Sequence, residues 1–207
     1  MLQELQERKD LVLNLGVSLN QLNILNVFLE NLIHSNEELN LVSRQLTMKD
    51  LVENHLIDCL LAYPQLPQNL KKVADFGSGG GFPGIVYACL RPETEFTLYE
   101  KSPKKQQYLK SCQKFAPNII IQGEIPKNFG NVDLVTARAF KPINVIIEMS
   151  HQYFVNGGKY FLLKGRAEKI NEEINDCKKF AKSLNLKIEK LNSPLLEVER
   201  HLVTINS

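Results

Sequence analysis

Between Asp75 and Gly84 the chain reads DFGSGGGFPG, with glycines at 77, 79, 80, 81 and 84. The residues before it, KVADF, have the short apolar run of a strand, and GIVYACL after it reads as a helix with Pro83 suited to its first turn. A glycine-rich turn from strand into helix lets a ligand approach the backbone closely. Open α/β sheets bind their ligands there, at the carboxyl ends of the strands.

The rest of the chain is read around that unit. Residues 1–66 form a helical extension and residues 67–207 an α/β domain. In the extension, Leu22, Leu25, Leu29 and Leu32 recur with the period of an amphipathic helix, and Ser18 with Gln21 forms a capping box at its start. A second helix runs from about Met48 to Ala62, capped by Thr47 and followed by Pro64. YPQLPQNLKK is a linker. Beyond it, EFTLYE, NIIIQG, VDLVTARA and KYFLLKG read as strands. Helices are expected at SPKKQQYLKSCQKF, capped by Ser102, at about Pro142–Tyr153 and at about Arg166–Leu184. LKIEKL and HLVTINS close the chain as two strands joined by too few residues for a crossover helix, so they pair antiparallel. Alternating strands and helices imply a mostly parallel, Rossmann-like sheet covered on both faces.

Two glycine patterns overlap in the loop. Gly79 to Gly84 satisfies GxGxxG, used by dinucleotide sites, and Gly77 to Gly81 satisfies GxGxG, used by Rossmann-like methyltransferases. Register favours the second, because Gly77 is the first glycine after the strand. Asp75 at the strand end would repel a pyrophosphate, but it can attract a sulfonium or accept a hydrogen bond from a ligand amine. Glu100, ending the second strand, can accept two ribose hydroxyls; that role serves either cofactor. A nicotinamide-dependent dehydrogenase therefore stays the alternative enzyme. A non-catalytic RNA-binding module on the same fold is the alternative of another class.

Charge is unevenly spread. Residues 1–70 hold 4 Lys+Arg against 9 Asp+Glu, and residues 71–207 hold 21 against 14. The basic half suits a polyanion, although such an excess is often only a solvated face. Cys59, Cys89, Cys112 and Cys177 are far apart, which supports neither a metal site nor a disulfide framework. The acidic N-terminus is unlike a signal peptide and no apolar run is long enough to cross a bilayer, so the cytoplasm is the expected location.

The acceptor side starts after the fourth strand, at VDLVTARAF. That segment has no Asn/Asp-Pro-Pro-aromatic motif, which exocyclic-amine methyltransferases use, and no cysteine follows a proline, as cytosine carbon-5 enzymes need. An aromatic ring nitrogen remains open; guanine N7 has an in-plane lone pair and needs no base. Arg138 ends a strand where a guanidinium could hold a cofactor carboxylate bidentately. Lys164 ends another and could meet RNA phosphate or the guanine edge. Arg200 and His201 open the last strand. His55 and Asp58, three apart on one helix, form either a polar pair near an acceptor pocket, a helix-surface pair or an interdomain hydrogen bond. Phe82 and Phe140 are the apolar side chains placed nearest the ligands.

NLVSR at 40–44, HLIDCL at 55–60, DFGSGGGFPGI at 75–85, ARAF at 137–140, LLKG at 162–165 and ERHLV at 199–203 together resemble the RsmG (GidB) family of 16S ribosomal RNA guanine-N7 methyltransferases. The resemblance covers nearly the whole length. It implies S-adenosyl-L-methionine as donor and a guanine in the decoding-region hairpin of 16S rRNA, in the small ribosomal subunit, as acceptor. It also implies a monomer with no metal, DNA or membrane partner. Residue by residue, it places Gly77, Phe82 and Arg138 at the cofactor, and Glu124 and Ile125 at the adenine, while the loop pattern adds Asp75, Gly79 and Glu100 as cofactor candidates. Lys164 and Arg200, with His55 and Asp58, would position the substrate.

Overall fold

The computed structural model describes residues 1–180, 184–192, 195 and 199–207. The chain opens with helices α1 (Gln3–Glu7), α2 (Lys9–Asn14), α3 (Leu19–Leu39) and α4 (Met48–Leu51), a π-helical turn over Val52–Ile57, and α5 (Asp58–Ala62). The sheet elements follow in the order β1 (Lys72–Phe76), α6 (Gly84–Leu90), β2 (Glu95–Tyr99), α7 (Pro103–Ser111), β3 (Ile119–Gln122) and β4 (Leu134–Arg138). Next come α8 (Ile143–Met149), α9 (His151–Val155), β5 (Lys159–Lys164), α10 (Ala167–Asn175), β6 (Asn185–Leu191) and β7 (Arg200–Asn206).

The strands form one sheet in the order β3-β2-β1-β4-β5-β7-β6. β1 to β5 pair in parallel, while β7 runs antiparallel between β5 and β6. The strand order reverses at β1, so a crevice opens between the carboxyl ends of β1 and β4.

Strand alternation divides the core. Val73, Leu134, Phe161, Leu163 and Leu202 point to one face, and Ala74, Val135, Tyr160, Leu162 and Val203 to the other. The first face is covered by α6 and α7 and by the N-terminal helices, whose Leu22, Leu25, Phe28, Leu29 and Leu32 belong to the same continuous core. The second is covered by α8, α9 and α10. The N-terminal helices thus form a layer of the molecule packed on α6 and α7, rather than a lobe with its own core.

Local signals explain most element ends. The Ser18–Gln21 box closes α3 at its start, and Asn40 stops it in the left-handed region at φ 49°. Thr47 and Asp50 make a second reciprocal box at α4. Three expectations are corrected. Ser102 makes no side-chain cap on α7. The helix expected from Pro142 is two helices, broken at Ser150, whose hydroxyl turns inward to the Ile146 carbonyl (2.7 Å) and Tyr160 Oη (2.7 Å). The helix expected to reach Leu184 ends at Asn175, followed by a short 3-10 turn at Lys178–Phe180; residues 181–183 lie outside the described residues. Among the described residues no helix is long and apolar enough to cross a membrane.

Leu29 is fully buried in the core shared by helices and sheet. Leu29→Ala should cost about 2–5 kcal/mol, and urea unfolding followed by circular dichroism should remain one transition. Separate transitions for the helical layer and the sheet would contradict a shared core.

Candidate active site

The β1–α6 loop is shaped by its glycines. Gly77 lies at φ 72°, and a Cβ there would run into the ring of Phe140. Phe140 follows Ala139, a non-glycine residue held at φ 50°. The loop is tied to β2 by the Gly77 and Ser78 amides, which donate to the Tyr99 carbonyl at 3.0 and 3.1 Å.

A cavity of about 380 Å³ lies over this loop, within the size range of small-molecule sites. Gly77, Gly79, Phe82, Glu100, Ile125 and Arg138 line it, as does His55 from the π-helical turn. Glu100 holds its place by accepting from Gly79 N (3.0 Å) on Oε2 and from Ser102 N (2.8 Å) on Oε1. Each oxygen keeps a lone pair for a ligand hydroxyl. Glu124 is exposed and pairs with Lys101 at 3.4 Å, while its neighbours Gly123 and Ile125 reach the cavity wall.

Asp75 lies beneath the loop, not in the cavity wall. It is fully buried, with the Ser78 side chain and the Gly84 backbone as its nearest polar neighbours. Burial, with the nearby Glu100 charge adding to it, pushes its pKa up to about 7. Its Oδ2 occupies the space a Cβ on Gly84 would need, so the last glycine of the loop accommodates this carboxyl.

A second cavity of about 490 Å³ lies across the segment Arg138–Phe140, which borders both spaces. Its wall carries Lys141, Lys164, Lys169 and Arg200 against two carboxylates, Asp58 and Glu173. Asp58, buried, receives Arg138 Nε at 2.8 Å and Arg200 Nε at 3.2 Å on the same oxygen. Arg138 also donates to the Asn54 carbonyl at 2.6 Å and contacts His55 Nδ1 at 3.2 Å. Among the described residues, three of its five N–H groups are thereby committed and two have no partner.

Because a guanidinium only donates, His55 Nδ1 is the acceptor and its ring proton sits on Nε2. Burial first, then the charges of Arg138 and Arg200, push the His55 pKa down to about 4. Its ring lies 5.3 Å from that of Phe82, and the Arg138 guanidinium lies 5.8 Å from the same phenyl. All four cysteines are buried, and burial raises every thiol pKa.

The structure thus brings His55, Asp58, Arg138 and Arg200 into one cluster, which sequence spacing alone did not reveal. Lys164 lies on the same cavity, bound to Glu173 Oε2 at 2.7 Å and to the Lys141 carbonyl at 2.8 Å. Glu173 was missed by sequence reasoning. Its signal was an acid within the apolar stripe of α10, between Ile170 and Ile174. Among the described residues no cluster of metal-ligating side chains occurs.

The sheet order, the GxGxG turn at the β1–β4 crevice and the hydroxyl-accepting Glu100 define a Rossmann-like S-adenosylmethionine-dependent methyltransferase. Solved structures with the same fold include an O-methyltransferase from Bacillus cereus in complex with SAH (TM-score 0.60, 12% identity, covering 87% of this chain and 91% of that one). Another is cofactor-bound Rv0187 from MTB (TM-score 0.58, 16% identity, 88% and 89%). The family described as rRNA small subunit methyltransferase G (GidB) matches residues 21–203, and the chain belongs to it. Ribosomal RNA small subunit methyltransferase G 1 of Bdellovibrio bacteriovorus is 49% identical over 99% of this chain and 100% of its own length. Ribosomal RNA small subunit methyltransferase G of Borrelia garinii subsp. bavariensis is 32% identical over 87% and 88%. This membership decides between the two glycine patterns in favour of the methyl donor.

Two measurements test the site. Gly77→Ala should weaken S-adenosylmethionine binding about tenfold or more, through the Phe140 collision and the strained φ; unchanged affinity by calorimetry would remove Gly77 from the cofactor wall. The His55 imidazole should titrate by NMR near pH 4 rather than 6.5, and Arg138→Gln should move the midpoint upward. The folded protein therefore binds fewer protons at His55 than the unfolded chain between these values, so this group's contribution to stability falls as pH drops from 6.5 to 4. A midpoint near 6.5 in the folded protein would show that His55 is not buried against Arg138.

Proposed function

We propose that this protein methylates N7 of a guanine in the decoding-region hairpin of 16S rRNA, acting on the small ribosomal subunit in the cytoplasm as a monomer. The observation that carries the acceptor assignment is the makeup of the second cavity: cationic, adjoining the cofactor cavity, and without a free base. Among the described residues that line it there is no cysteine and no histidine. Its carboxylates are committed to cations, Asp58 to Arg138 and Arg200, and Glu173 to Lys164. His55, in the adjoining cavity, holds its proton on the outer nitrogen and has a depressed pKa, so it is poorly suited to take another.

Such surroundings suit an acceptor atom that attacks without losing a proton, and guanine N7 is one. When bound, S-adenosylmethionine supplies an electrophilic methyl group on a sulfonium. Glu100 and the glycine loop hold the donor, and the two uncommitted N–H groups of Arg138 are available to its carboxylate. Lys141, Lys164, Lys169 and Arg200 provide the positive wall for the RNA backbone. Catalysis then rests on alignment and charge placement rather than on proton transfer.

Purified protein given labelled cofactor and small subunits lacking the modification should place label on one guanine N7 in that hairpin. Label on an exocyclic amine, on a pyrimidine carbon, or elsewhere in the rRNA would overturn the acceptor assignment.

A further inference from the structure

Glu173 is a buried acid on α10, 8% exposed, on a stripe otherwise made of Ile170, Ile174 and Cys177. Leaving a carboxylate in such a place is costly unless it is paired and hydrogen-bonded. Its Oε2 accepts from Lys164 Nζ at 2.7 Å and from the Ile143 amide at 3.0 Å. Lys164 Nζ in turn donates to the Lys141 carbonyl at 2.8 Å. The acid and the lysine therefore brace both ends of the turn from Lys141 to Ile143, directly after the segment that separates the two cavities. An ammonium has three donors, and two are used here. The third is left at a wall that Lys164 shares with Arg138 and Arg200.

We infer that Glu173 is a positioning residue for methyl transfer: its carboxylate orients the Lys164 ammonium towards the acceptor cavity. This rests on the reading of that cavity as the acceptor side. The groups facing Lys164 are Glu173 and Lys169 from α10, Arg138 and Lys141 from the end of β4, Arg200 from β7, and Asp58 from the N-terminal layer. His201 lies opposite Lys164 in the β5–β7 register, with Nδ1 at 2.6 Å from the Gly165 carbonyl. Among the described residues Glu173 is the one acid bonded to Lys164; Asp58 is engaged by both arginines. Without the Glu173 carboxylate, Lys164 loses the side-chain acceptor that fixes where its ammonium points.

The test compares Glu173→Gln, Glu173→Asp, Lys164→Met and the Lys164→Met/Glu173→Gln pair, using undermethylated small subunits. Lys164→Met should lower kcat/KM, and Glu173→Gln should lower it about tenfold. Glu173→Asp should recover most of that loss, because it keeps the carboxylate acceptor for Lys164. The double variant should be no worse than Lys164→Met alone, and S-adenosylmethionine affinity by calorimetry should stay unchanged in all four. A loss in Glu173→Gln that multiplies with the Lys164→Met loss would reduce Glu173 to a structural role and overturn the inference. Full activity of Lys164→Met would overturn it too, at the level of the acceptor-side reading; Glu173→Asp behaving like Glu173→Gln would do so at the level of the pair.

Discussion

One buried carboxylate organises this molecule. Asp58, 2% exposed, accepts a hydrogen bond from Arg138 at the end of β4 and forms an ion pair with Arg200 at the start of β7. Those three residues come from the helical layer, the middle of the sheet and its antiparallel strand. A buried charge of this kind is tolerated only when it is paired and bonded, because taking either partner away leaves an uncompensated charge in a poorly solvated place. The pairing therefore specifies how the N-terminal helices sit across the carboxyl ends of the strands. It also sets where Arg138 points, and Arg138 borders both cavities. The donor side and the acceptor side share a wall whose position depends on one ion cluster.

Charge is zoned across that wall. On the cofactor side lie Glu100 and, beneath the loop, Asp75, whose carboxyl is buried and pushed up to about 7. On the other side lie Lys141, Lys164, Lys169 and Arg200. A donor that carries a sulfonium suits the first environment, and a phosphate backbone suits the second. His55 sits at the border with its basic nitrogen occupied by Arg138, so it contributes a donor and a ring surface against Phe82 rather than a base.

Local signals were readable in the chain and distant ones were not. The Ser18 and Thr47 boxes, the β1–loop–α6 unit and each strand of the sheet follow from short-range pattern, and the structure has them. Insertion of β7 between β5 and β6 has no short-range signal, since it rests on pairing with β5, a strand far away in the chain. His55 and Asp58 could be picked out as a pair on one helix. Their partner could not, because Arg138 is 83 and 80 residues away respectively. Ser102 looked like a cap from its identity and position, yet it makes no side-chain cap bond; the N-terminal turn of α7 is instead met by Glu100, which accepts the Ser102 amide. Glu100 thus serves helix and cofactor loop together, a double use that no one-residue reading separates.

The Arg138–Pro142 segment shows why the loop glycines and the remote ion pairs form one design. Ala139 sits at φ 50°, a conformation that costs a residue with a Cβ roughly 1–2 kcal/mol. It is held by contacts on every side. Before it, Arg138 is fastened to Asp58 and the Asn54 carbonyl. After it, Phe140 lies against Gly77, Lys141 gives its carbonyl to Lys164, and Ile143 gives its amide to Glu173. Gly77 must lack a side chain because this segment needs the space, quite apart from any ligand. A side chain at Gly77 would press on Phe140 and so on the segment that walls the acceptor cavity. The glycine pattern marks more than a ligand cradle: its first member is where the methyl-donor loop packs on the wall of the acceptor cavity.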